Sequence, residues 1–60
     1  MDKVTAIYEQ LNLLIADFQL NHDKFVKGNK SAGAKARKAL GEIKKSVTAY
    51  RQASVEAVKK

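Results

Sequence analysis

The sequence predicts an all-α fold: a two-helix antiparallel hairpin that dimerises into a four-helix bundle. Three observations predict it. Apolar residues recur at alternating steps of four and three along two long segments. One glycine-centred break, Lys27-Gly28-Asn29, separates the segments, and there is no proline. The apolar surface of the first segment exceeds what one partner helix can cover, so a second hairpin is expected against it.

The first segment carries Val4, Ile7, Leu11, Leu14, Phe18, Asn21 and Phe25 on one seam. Tyr8 and Ile15 lie on one flank of that seam, and Leu13 and Leu20 on the other. A helix is expected over about residues 3–27. At Lys27 a cation suits the helix dipole, and Gly28 suits the left-handed position that follows a helix end. The turn is expected at 28–30, with Asn29 or Ser31 capping the next helix. The second segment repeats the spacing through Ala36, Leu40, Ile43, Val47, Tyr50, Ser54 and Ala57, so a helix is expected over about 31–58. Each arm is then about 35–40 Å long. Beside the second seam runs a row of small residues, Ala32, Ala39, Ser46 and Ala53. Such a row permits close approach of a helix or of a ligand backbone. Gly41 sits inside the pattern, and the helix is expected to run through it at a cost of about 1 kcal/mol against alanine.

The chain has 60 residues, room for one small domain spanning 1–60. A domain of this size is marginal alone and needs support. No cysteine is present, which removes disulfides and thiolate metal sites. The single histidine, His22, makes zinc an unpromising support. Oligomerisation remains, as a dimer or tetramer. The opening Met1-Asp2-Lys3-Val4 lacks the basic region of a signal peptide, and no apolar run approaches the roughly 20 residues of a membrane span. A soluble, cytoplasmic protein is expected.

Charge is distributed unevenly. The formal net charge is +6, from 12 Lys and Arg against 6 Asp and Glu. Residues 1–27 carry Lys3, Lys24 and Lys27 against Asp2, Glu9, Asp17 and Asp23, a net of −1, whereas residues 28–60 carry +7. Within the basic half, Lys30, Arg37, Lys44 and Arg51 recur every seven residues. Lys38, Lys45 and Lys59 form a second row, with Gln52 in its gap. A heptad repeat of cations is a nearly straight stripe on a helix, about 32 Å from Lys30 to Arg51. That length is near one turn of duplex DNA. Only Glu42 stands among the cations from Lys30 to Lys45. Such a stripe fits a polyanion, and nucleic acid is the commonest. A solvated face is the competing reading.

The turn adds a second element. A helix N-terminus offers free N–H groups and a positive dipole end, Ser31 offers a hydroxyl, and Lys27 and Lys30 add charge. Ordinary turn and cap chemistry explains the same residues equally well. The string Gly-Asn-Lys-Ser is not a P-loop, because that motif needs glycine directly before the lysine and a preceding strand. His22 flanks the first seam, and is expected partly buried or at an interface. Asn21 lies on the seam, where it either sets register or oligomer state or splays out near the helix end. Tyr8 and Tyr50 read as packing residues with wet hydroxyls. No nucleophile–base pair, acid pair or metal spacing occurs, so neither catalysis nor a cofactor or metal is expected.

The string from Lys27 to Lys38, Lys-Gly-Asn-Lys-Ser-Ala-Gly-Ala-Lys-Ala-Arg-Lys, with Leu40 and Glu42-Ile43 after it, resembles the small linker-histone-like proteins of chlamydiae and of Bacteroidetes-type bacteria. Tyr50-Arg51-Gln52-Ala53-Ser54 is similar to a Tyr-Arg-x-x-Ser stretch of that family. The resemblance extends from Lys27 to Ser54; the first helix matches only in length and amphipathicity. It implies a nucleoid-associated, histone-like protein that binds and compacts DNA. Chlamydial members also carry a long Lys/Ala/Pro-rich tail. This sequence stops at Lys60, so strong condensation is not implied.

Together these readings give a protein that binds duplex DNA through its phosphates with weak sequence specificity, and bridges or compacts it. A stripe of mostly lysines supplies charge without bidentate base readout, and does not separate DNA from RNA. The candidate contact residues are Lys27, Lys30, Ser31, Lys35, Arg37, Lys38, Lys44, Lys45 and Arg51. The rival is a helical-hairpin module that docks a protein partner through its first helix, with a solvated basic face. Insertion into a membrane surface is disfavoured, because no large apolar residues accompany the cations.

Overall fold

The computed structural model describes residues 1–59; Lys60, the last residue of the expected domain, lies outside them. It contains two helices, α1 (Asp2–Val26) and α2 (Lys30–Val58). Each begins one residue before its expected start. They pack side by side as a hairpin of 50 × 14 × 10 Å. The radius of gyration is 14.2 Å, against about 10 Å for a compact domain of this length. The molecule is a rod one helix thick.

The reversal is built from local chemistry. The Gly28 N–H donates to the Phe25 carbonyl (3.0 Å), and the Asn29 N–H donates to the Lys24 carbonyl (3.1 Å). These two bonds form a Schellman motif, which needs a positive φ at Gly28; it is +108°. Asn29 then caps α2. Its carboxamide oxygen accepts from the Ala32 N–H (3.3 Å) and from the Ser31 hydroxyl (2.8 Å). One glycine and one asparagine therefore end one helix and start the next. Just beyond, Gly33 leaves room for Phe25. A Cβ built at Gly33 would lie 2.7 Å from a carbon of that ring.

The seam between the helices differs from the expected one on α2. On α1, Val4, Ile7, Leu11, Leu14 and Phe18 are half-buried, as their spacing implies. On α2, the buried residues are Ala32, Gly33, Ala36, Ala39 and Ala53. The expected seam residues Leu40 and Val47 remain 47% and 42% exposed. Thus the small row Ala32, Ala39, Ser46 and Ala53 faces α1 together with Ala36, Ile43 and Ala57, and Leu40 and Val47 sit to one side. The physical reason is complementarity. α1 presents bulky side chains, and dense packing sets small residues opposite large ones. Leucine against leucine would hold the helices further apart.

Among the described residues Asn21 is the one buried polar residue, at 6% exposure. Its amide donates to the main-chain oxygen of Asp17 (2.9 Å) and to the Asp17 carboxylate (3.3 Å). It is satisfied within its own helix. No described side chain larger than alanine is fully buried. His22 is exposed, with its ring centroid 6.3 Å from that of Phe18.

Candidate nucleic-acid interface

The location of the basic residues follows from the seam. At about 100° per residue, the row Lys30, Arg37, Lys44 and Arg51 lies one step after Ala36, Ile43 and Tyr50. The row Lys38, Lys45, Gln52 and Lys59 lies one step before Ala39, Ser46 and Ala53. The two rows therefore bracket the side of α2 turned away from α1. Between them runs a third row, Ala34, Gly41, Thr48 and Val55. The cation rows, expected side by side, thus have an uncharged strip along their middle, which follows from the same periodicity. All of these residues are exposed.

α2 is unbalanced electrostatically. Lys30, Lys35, Arg37, Lys38, Lys44, Lys45 and Arg51 face only Glu42 and Glu56 on that helix, a net of +5. α1 carries Lys3 and Lys24 against Asp2, Glu9, Asp17 and Asp23, a net of −2. Among the described residues the one ion pair is Lys3 Nζ–Glu56 Oε2 at 4.0 Å, with both side chains largely exposed. At that length and exposure it contributes little. α2 also runs against its own dipole. Its first turn holds Lys30 and no acid, and its last turn holds Glu56 and no base.

The nine candidate contact residues are not all brought together. Lys30, Arg37, Lys38, Lys44, Lys45 and Arg51 share the outer face. Lys27 and Ser31 lie at the turn, and the Ser31 hydroxyl is engaged by Asn29. Lys35 stands apart. With Leu14, Asp17, Asn21 and Glu42 it lines a groove between the helices, which Lys38 borders from the edge of the outer face. The structure also shows a shallow depression near the end of α2, formed by Thr48, Arg51, Gln52, Val55, Glu56 and Lys59. Thr48 was not among the expected contact residues. It stands seven residues after Gly41 in the same row, with its hydroxyl donating to the Lys44 carbonyl (3.4 Å).

The opposite flank is apolar. Lys3–Glu56 and the Asp17–Lys35–Glu42 groove occupy one side of the hairpin. By helical position, Tyr8 and Ile15 on α1 and Leu40 and Val47 on α2 share the other. Their exposures are 54%, 37%, 47% and 42%. Leu13 and Leu20, at 69% and 54%, lie on the outer side of α1.

A basic helix packed beside an acidic one, with no strand among the described residues, defines a small two-helix protein with one strongly basic face. Residues 5–60 match the model of the family described as histone H1-like protein Hc1. The chain belongs to this family of histone-like, DNA-binding proteins, which is not a family of enzymes. No curated protein and no solved structure matches it. Among the described residues, no helix is long and apolar enough to cross a membrane, and no group of acids and histidines is placed to hold a metal ion.

Proposed function

We propose that this chain is a nucleoid protein that binds duplex DNA through its phosphates, using the outer face of α2. The observation that carries the reading is the cation face itself: Lys30, Arg37, Lys38, Lys44, Lys45 and Arg51 are exposed on one side of one helix with no ion-pair partner. A protein stabilised only by its own contacts gains nothing from that concentration, which repels itself and opposes the helix dipole. Phosphates relieve both costs. With about four to six phosphates contacted per subunit, binding has a log–log salt slope of roughly −4 to −5 and weak sequence preference.

The reading includes self-association. The accessible surface is 4863 Å², against about 3,900 Å² for a compact chain of this mass. A second hairpin on the flank of Tyr8, Ile15, Leu40 and Val47 buries the excess. α2 is expected to lie against the partner's α1, because its neighbouring row there, Thr5, Asn12 and Gln19, is uncharged. Two outward basic faces can then bridge two duplexes. The same apolar flank also favours a second reading, a docking surface for a different protein.

The test compares two double variants by DNA-binding anisotropy at several salt concentrations. Arg37→Ala with Lys44→Ala should weaken binding to all sequences and flatten the slope by about two units. Lys3→Ala with Lys24→Ala removes equal charge from α1 and should matter less. Equal losses would make net charge the whole explanation. No loss in either would remove the DNA reading and leave the docking module.

A further inference from the structure

Two of the three glycines are required by the fold. Gly28 has a φ of +108°, and Gly33 admits the Phe25 ring. Gly41 is required by neither. It lies in the interior of a 29-residue helix, with no positive φ. A Cβ built there meets no atom within 4 Å. Glycine is the poorest helix former after proline, so alanine would serve the hairpin better at this position.

What surrounds Gly41 is specific. Neighbours on a helix surface are the residues three and four places away. For Gly41 these are Arg37, Lys38, Lys44 and Lys45, so all four neighbours are cations. Each is exposed, and none has an ion-pair partner among the described residues. Lys38 also borders the groove lined by Asp17 and Glu42. No other described position of α2 has four cationic neighbours. The helix is therefore bare of side chain at the centre of its densest positive charge.

We infer that Gly41 is the floor of a phosphate seat, in which one phosphodiester group rests against the α2 backbone while Arg37, Lys38, Lys44 and Lys45 close around it. The absent Cβ lets the anion sit about a methyl radius nearer the helix axis, within simultaneous reach of all four side chains. This inference rests on the proposed DNA reading and adds one contact that depends on shape instead of charge.

Gly41→Ala tests it, because the substitution changes no charge. The melting temperature should rise by about 4–8 °C, as expected for a glycine-to-alanine gain in a domain of this size. DNA affinity should nevertheless fall about three- to tenfold, with a salt slope flatter by about one unit. Gly41→Leu should fall further. Ala49→Leu adds bulk to an exposed site of the same helix outside the four cations, and should leave affinity unchanged. Gly41→Ala with raised melting temperature and undiminished affinity would remove the seat. So would a lowered melting temperature, which would make the glycine structural. If Arg37→Ala with Lys44→Ala binds as well as the parent, the DNA reading fails and the seat falls with it. If that pair weakens binding and Gly41→Ala does not, only the seat fails.

Discussion

At the scale of single residues, the turn is where the hairpin is most sensitive. Gly28 adopts a φ of +108°, which side chains with a Cβ rarely tolerate. Gly28→Ala should lower stability by about 1–2 kcal/mol, read as a drop in the thermal midpoint. Asn29→Ala removes the cap that accepts from Ala32 N–H, and should cost about 1 kcal/mol in the same measurement. Gly33 depends on its neighbour instead of its own backbone. Gly33→Ala places a methyl 2.7 Å from the Phe25 ring, so the ring must move out. In a double-mutant cycle with Phe25→Ala, most of the cost should disappear, because the obstruction is then gone. An additive cycle would show that Gly33 serves something other than the ring.

At the scale of elements, α1 and α2 divide the work. α1 supplies bulk to the seam and a net negative charge; α2 supplies a thin, small-residue contact face and a basic outer face. The division makes neighbouring residues on α2 behave oppositely. Ala39 is 4% exposed and Leu40 is 47% exposed. Ala39→Leu should overpack the seam and destabilise by about 1–3 kcal/mol, measured by urea unfolding. Leu40→Gln should change the monomer's stability by well under 1 kcal/mol, since the side chain lies largely outside the seam. Reversal of that order would mean that Leu40 faces α1 in solution. The Asn21 amide, closed onto Asp17 within α1, makes no cross-helix bond. It therefore does not determine the pairing of α1 with α2 through a shared hydrogen bond.

At the scale of the whole molecule, a rod with a single thin seam and no fully buried large side chain is short of core. Stability should then depend on protein concentration, because association covers surface the hairpin cannot. Sedimentation equilibrium at micromolar concentration should give a dimer or larger. Leu40→Gln with Val47→Gln should move it toward monomer while the helical signal in circular dichroism is largely kept. A parent that sediments as a monomer and melts at a concentration-independent temperature would contradict the shared flank. Salt separates the two events. It screens phosphate binding, and leaves burial of the apolar flank nearly unaffected.

The two helices, their break and the basic half were legible in the sequence because each rests on local signals. Four-three spacing, a glycine followed by asparagine, and cations seven residues apart need no knowledge of what lies opposite. The family was legible from Lys27 to Ser54 for the same reason. The face of α2 that meets α1 was not. Rows seven residues apart run parallel along a helix, and α2 has two of them side by side, Ala32–Ala39–Ser46–Ala53 and Leu40–Val47–Ser54. Hydrophobicity favours the second; only the bulk already present on α1 selects the first. That selection turned Leu40 and Val47 outward onto a flank, moved Lys35 toward Asp17, and left facing solvent the uncharged strip on which Gly41 stands between its four cations. Periodicity along one helix determined which residues share a line, and the fit between two helices decided which line is the inside.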